Sequence, residues 1–270
     1  LVYRSKKPVY WSIPCQTALA EAEIEYQDHV SPSIYVRFQI KGEIDNAYLV
    51  IWTTTPWTLP ANLAVAVHPR QTYCEVKVDG DAYWIAQPRV EAFTKECSFP
   101  EYSIGRTCAG EDLAGKVALH PFIDRESKVV CAEYVTMDTG TGCVHIAPGH
   151  GLDDYLTGLE HGLEIYCPLD DGGKYLDDGQ IPPELVGVSV LEKQDGSKAN
   201  HAVLEILRKG DASDNECTIR PTSSHDLGCI RNGPTESIRH SSLRYPVKPR
   251  DGGFFVRCRT LDSNTPRLLQ

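Results

Sequence analysis

Two stretches of this chain concentrate residues that can do chemistry. The first is Thr53-Thr54-Thr55-Pro56-Trp57-Thr58-Leu59-Pro60-Ala61-Asn62, where three hydroxyls follow directly on an apolar run and two prolines come after them. Proline fixes its own φ and restricts the residue before it, so the sequence predicts an extended, pre-organised path at a strand's end. Such a rim presents hydroxyls and backbone N–H groups where binding sites commonly lie. The same threonines serve equally as strand formers and turn caps, and spacing alone leaves both readings open.

The second stretch is Gly140-Thr141-Gly142-Cys143-Val144-His145-Ile146-Ala147-Pro148-Gly149-His150-Gly151-Leu152-Asp153-Asp154-Tyr155. Glycines bracket a short strand, and a Pro-Gly-His-Gly turn feeds a helix that opens on two acids. In a first turn, the dipole and the unpaired N–H groups favour a carboxylate's charge. The expectation is therefore an ionised group able to hold an ammonium. Against it stand plainer roles: Asp153 as a helix cap, and His145 as a hydrogen-bonded core histidine. His145, His150 and Asp154 also offer metal-ligand chemistry. They fall on a strand, a turn and a helix, however, and not on one helical face as H-E-x-x-H requires.

The elements around these stretches read as mainly β. Ser33–Ile40 alternates and is rich in β-branched and aromatic residues, and Ala47–Thr53 is dense enough for a strand covered on both faces. Further strands are expected at Leu63–Val67, Tyr73–Val78, Ala82–Ile85, Lys128–Ala132 and Gly142–Ile146, with Gly80-Asp81 as a hairpin turn. Helices are expected at Thr17–Glu25, Pro88–Cys97, Leu152–His161 (with Gly162 at C′) and Lys198–Lys209 (with Ser197 as cap). Many short strands with few helices predict a barrel or sandwich carrying helical insertions.

The 270 residues carry 27 Lys+Arg against 37 Asp+Glu, a net charge of -10, which argues against a generic phosphate-coating protein. No apolar run approaches a membrane span of about 20 residues. The 10 cysteines include no C-x-x-C pair, which removes the commonest zinc and thioredoxin patterns and suits buried thiols in a reducing cytoplasm. Residues 211–270 hold nine Lys+Arg and seven Asp+Glu, so residues 1–210 carry -12. That tail is also poor in Leu, Ile, Val and Phe. It is set apart here as a second, weakly ordered region.

Together the two stretches resemble the hallmark peptides of isoleucyl-tRNA synthetases, in the editing insert (connective polypeptide 1) of that class I family. Lys7–Ser12, Gln16–Tyr26 and Asp195–Asn200 support the likeness, which runs from Leu1 to about Gly210. The sister valyl and leucyl enzymes carry an arginine in the TTRP version of the first motif, where this chain has Thr55. The resemblance implies a β-barrel editing domain that hydrolyses valine from the 3′ CCA end of tRNA(Ile). By the same resemblance, Asp154 holds the substrate's ammonium, His145 lines the side-chain pocket, and Thr53, Thr54 and Thr55 surround the scissile ester. Asn62 closes that peptide, and Trp57 and His150 join the substrate-binding set. A positioned water attacks, so editing needs no metal or other cofactor. ATP and Mg2+ belong to the synthetic domain, whose HIGH- and KMSKS-type signatures are absent from this sequence. The other partner implied is the rest of the synthetase, in the cytoplasm and without a membrane. Two other functions compete: an inert or purely tRNA-binding remnant, and a metal-dependent hydrolase. No HSYPHCWR-like segment follows Gly210, which suggests a frameshifted tail. Sequencing the gene across that junction tests this, since an alternative reading frame should restore the segment.

Overall fold

The computed structural model describes residues 5–24, 26–27, 33–43, 46–193 and 196–212, and the strands at 245–246 and 254–261. The strands are β1 (Ser5–Ser12), β2 (Thr17–Leu19), β3 (Tyr26–Gln27), β4 (Ile34–Ile40), β5 (Asn46–Thr53), β6 (Ala64–Val67), β7 (Thr72–Val78) and β8 (Asp81–Ala86). They continue with β9 (Ser103–Ala109), β10 (Val117–Leu119), β11 (Glu126–Cys131), β12 (Cys143–Ile146), β13 (Glu192–Lys193), β14 (Gly196–Ser197), β15 (Tyr245–Pro246) and β16 (Phe254–Leu261). The helices are α1 (Val90–Glu96), α2 (Gly110–Leu113), α3 (Leu152–Glu160) and α4 (Lys198–Ala212).

Nine strands form one mixed sheet in the order β12-β6-β11-β10-β4-β5-β8-β7-β9, with β6–β11 and β5–β8 parallel and the other pairs antiparallel. The mainly β reading therefore holds. The sheet curls until β12 packs against β5. Among the described strands no ladder joins β12 to β9, so the barrel expected from the sequence is not closed by hydrogen bonds. Alternation explains the curl's two faces. On β5, Ala47, Leu49 and Ile51 point into the main core with Val36 and Phe38, while Tyr48 and Val50 lie under Val90 and Phe93 of α1. The outer edge β9 is held by Arg106, whose guanidinium bonds the fully buried Glu75 carboxylate at 2.5 and 2.8 Å.

Local chemistry accounts for most element ends. Asp79 and Gly80 turn the β7–β8 hairpin with φ of 50° and 94°, as a primed turn demands. Gly162 sits just after α3 at φ 65°, and Ser197 Oγ accepts the Asn200 N–H at 3.4 Å to cap α4. The helix expected over Thr17–Glu25 does not form in the described residues. Thr17–Leu19 pairs with β1 instead, and only Glu21–Glu23 makes a 3-10 turn. Helix propensity is a weak prior there, and strand pairing overrides it.

The boundary at residue 210 falls inside α4, which runs to Ala212. Beyond it, β15 pairs with β3, and β16 pairs with β1 along all eight residues. The weak order expected for 211–270 otherwise lies outside the described residues. Cys15, Cys74, Cys97, Cys108, Cys131, Cys143 and Cys167 are free thiols, and no described helix is long and apolar enough to cross a membrane.

Candidate functional site

Thr53 ends β5, and the next residues do not run extended. Pro56–Ala61 forms a 3-10 segment with Pro56 in its first turn and Pro60 inside it. This corrects the extended path: proline's φ suits a helical first turn as well as a polyproline one, and the apolar core decides. The segment is buried throughout, with Leu59 and Ala61 packed into the main core and α4 lying against it.

The turns present the hydroxyls in an ordered way. The Thr55 N–H donates to Thr53 Oγ1 at 3.0 Å, and Thr58 Oγ1 donates to the Thr55 carbonyl at 2.9 Å. Thr58 Oγ1 also lies 3.0 Å from His145 Nε2, and this bond joins the two chemically rich stretches. Because the Thr58 hydroxyl proton is committed to Thr55, the histidine must donate. His145 therefore carries its proton on Nε2 and leaves Nδ1 as a bare acceptor, buried and without a partner among the described residues. Burial, then the nearby His150, push its pKa down to about 4, so it is neutral at working pH.

His150 follows in the turn, where its N–H donates to the Ala147 carbonyl at 2.9 Å. Its ring meets Trp57 edge-on at 5.2 Å. Asp154 reaches back from the first turn of α3, and its Oδ2 accepts the Ala147 N–H at 2.9 Å. Burial raises its pKa to about 7, which the Ala147 bond partly offsets and Asp153 adds to. The carboxylate expected to stay ionised at this helix start is therefore fully charged only above about pH 7. Desolvation outweighs the dipole. Among the described residues no group of three His, Cys, Asp or Glu side chains is placed to hold a metal, so His145, His150 and Asp154 do not form a ligand set.

Gly149 is required by space. A Cβ there would stand 2.2 Å from the Tyr166 carbonyl oxygen, which is backbone and cannot swing away. Gly149→Ala is expected to cost about 1–3 kcal/mol, read as a lower urea midpoint at unchanged slope.

Asn62 is fully buried and acts as a fastening. Its Oδ1 accepts from Ser127 Oγ at 2.5 Å and its Nδ2 donates to the Ala64 carbonyl at 2.8 Å. The remaining grips on the 3-10 segment come from residues the sequence reading did not single out. The Trp57 N–H donates to Asn200 Oδ1 at 3.0 Å. Arg125 Nη1 donates to the Pro60 and Asn62 carbonyls at 2.9 and 3.1 Å. His120 Nδ1 accepts the Phe122 and Ile123 N–H groups, so its Nε2 carries the proton and donates to the Leu59 carbonyl at 2.9 Å. Burial pushes the His120 pKa down to about 3, which keeps this ring neutral. Thr58 and Asn200 did lie within quoted motifs; His120 and Arg125 carry no local signal.

A profile of tRNA synthetases class I (I, L, M and V) matches residues 1–260. The chain belongs to this family. The match runs past residue 210, into the strand that pairs with β1. The isoleucine–tRNA ligase of Nitratidesulfovibrio vulgaris (strain Miyazaki F) is 51% identical over 217 residues, 77% of this chain and 22% of that protein. That of Petrotoga mobilis is 54% identical over 178 residues, 66% of this chain and 19% of that protein. The chain thus spans about a fifth of the length of these class I synthetases. Among solved structures, "The crystal structure of GlLeuRS-CP1" is 15% identical at a TM-score of 0.40, over 68% of this chain and 86% of that one.

Proposed function

We propose that this segment carries the hydrolytic editing site of an isoleucine–tRNA ligase, which cleaves the valyl ester at the 3′ CCA end of tRNA(Ile). The observation that carries the reading is the Thr58–His145 bond. It brings the threonine-rich stretch and a neutral histidine together, and two residues along, the Ala147 N–H is bonded by the partly exposed carboxylate of Asp154. The carboxylate of Asp154 holds the substrate's α-ammonium, and the His145 ring sets the depth of the side-chain pocket. Thr53, Thr54 and Thr55 surround the ester. A water adds to the ester carbonyl, the bond to the ribose oxygen breaks, and that oxygen leaves with a proton as the 2′- or 3′-hydroxyl. Water and substrate are held in place, so proximity and preorganised donors supply the rate. Such a site needs no metal or nucleotide. ATP and Mg2+ serve the aminoacylation site of the rest of the synthetase, in the cytoplasm.

The full chain is expected to release valine from Val-tRNA(Ile) faster than isoleucine from Ile-tRNA(Ile), with no loss of rate in EDTA. Binding of the CCA end without release would favour a remnant. Loss in EDTA and rescue by zinc would favour a metallohydrolase.

The reading also fixes a pH profile. Below about pH 7 Asp154 takes up a proton and loses the charge that attracts the ammonium, so kcat/KM falls as pH falls. Above about pH 7.7 a free α-ammonium begins to lose its proton, and kcat/KM falls again. A narrow bell between these limbs is expected in a pH series of initial rates. A flat profile from pH 6 to 9 would contradict the assigned roles.

A further inference from the structure

The 3-10 segment Pro56–Ala61 lacks one of its own amide donors. A 3-10 ladder runs from the N–H of one residue to the carbonyl three before it. Thr58 to Thr55 at 3.0 Å and Asn62 to Leu59 at 2.8 Å follow the rule. Residue 60 should likewise donate to the Trp57 carbonyl, but it is proline and has no N–H. The Tyr175 hydroxyl, 118 residues along the chain, donates to that carbonyl.

We propose that Tyr175 is a positioning residue of the editing site: its hydroxyl proton stands in for the amide proton that Pro60 lacks and thereby fixes the Trp57 backbone and ring. The inference rests on the function proposed above. The geometry supports it from both sides of Trp57. One flanking peptide unit is tied through the Trp57 N–H to Asn200, and the other through the Trp57 carbonyl to Tyr175. With both units held, φ and ψ of Trp57 are set, which places its Cβ and so the point from which its ring reaches the edge-on contact with His150. Tyr175 is itself anchored. It is buried, and its backbone is bonded through its N–H to the Val188 carbonyl and through its carbonyl to the Gly187 N–H. Burial also raises its phenol well above the usual range, so the hydroxyl keeps its proton at any working pH.

A four-protein cycle tests this: the parent chain, Tyr175→Phe, Pro60→Ala and the double variant. Pro60→Ala restores an N–H in the ladder, so the hydroxyl should matter only when proline is present. Tyr175→Phe is expected to lower kcat/KM for Val-tRNA(Ile) roughly tenfold in the parent, the size of one buried neutral hydrogen bond, and less than about threefold in the Pro60→Ala background. In chains labelled with 5-fluorotryptophan, the 19F resonance of Trp57, assigned with Trp57→Phe, should move in Tyr175→Phe. In the double variant it should return to its place in Pro60→Ala. Equal losses, or equal displacement, in both backgrounds would overturn the proposal. If Tyr175→Phe fails to fold, recovery of folding by Pro60→Ala supports it and failure of both overturns it. Should the parent release no valine, the editing reading fails, while the 19F cycle still decides whether Tyr175 sets Trp57.

Discussion

Asp154→Asn is expected to abolish valine release and, above pH 7, to make the chain more stable. The activity loss follows from charge. An amide keeps the shape and can still accept the Ala147 N–H, but it cannot pair with an ammonium. Removing one charged partner from a buried site costs about 3 kcal/mol or more, a fall of at least about a hundredfold in kcat/KM. The gain in stability follows from the same burial. The carboxyl's pKa is about 7 in the fold against 3.8 as its ordinary value, so ionising it disfavours the folded state. The sign is that of a raised acid. No penalty exists below pH 4, it grows between pH 4 and 7, and it is fully present above pH 7. Three pH units correspond to roughly 4 kcal/mol, which the partial exposure of Asp154 and the unbonded NH2 of asparagine reduce to about 1–2. In a domain of this size that raises Tm by about 2–8 °C at pH 8 and by little at pH 4. Melting curves of both proteins at the two pH values, with deacylation at pH 8, check both halves. A variant that stays active, or that is less stable at pH 8, contradicts the role.

His145→Ala is expected to let isoleucine in. Isoleucine and valine differ by one methylene, for which a pocket discriminates about 10–200-fold, this amino-acid pair being the standard example of the limit. Shortening the ring to a methyl opens more room than a methylene needs. Hydrolysis of Ile-tRNA(Ile) should therefore rise by about tenfold or more, while valine release changes less. Because burial holds His145 near pKa 4, discrimination in the parent chain should not vary between pH 6 and 9, although the absolute rate does. Single-turnover deacylation of the two charged tRNAs measures both. Unchanged selectivity in the variant would place the size filter elsewhere.

These outcomes rest on contacts that the sequence shows only in part. The strands were legible because β4 and β5 alternate between a curl's interior and a helix-covered exterior, and burial of both faces leaves a dense apolar run. Edge strand β9, Ser-Ile-Gly-Arg-Thr-Cys-Ala, escaped notice because its exposed face imposes no pattern. Proline misled at Pro56 and Pro60, since one fixed φ serves both an extended path and a tight turn. At the site, Thr58, His145 and Asp154 lie in recognisable peptides. Their supports, His120, Arg125, Tyr175 and Asn200, sit 61 to 143 residues from the groups they hold. Such partners leave no trace in local spacing. The raised pKa of Asp154 has a related reason: helix position is local, whereas desolvation depends on everything folded around it.

The ladder between β1 and β16 has a consequence for any longer polypeptide that contains this segment. Ser5 stands opposite Leu261, so the chain arrives and departs one strand spacing apart, about 5 Å. Closing a flexible loop of some 250 residues would cost the surrounding chain on the order of 5 kcal/mol in entropy. A zipped pair of strands takes that cost into the segment's own folding. To its host, the whole module is then a short bridge between neighbouring points, and a host fold can carry or lose it without its own ends having to move.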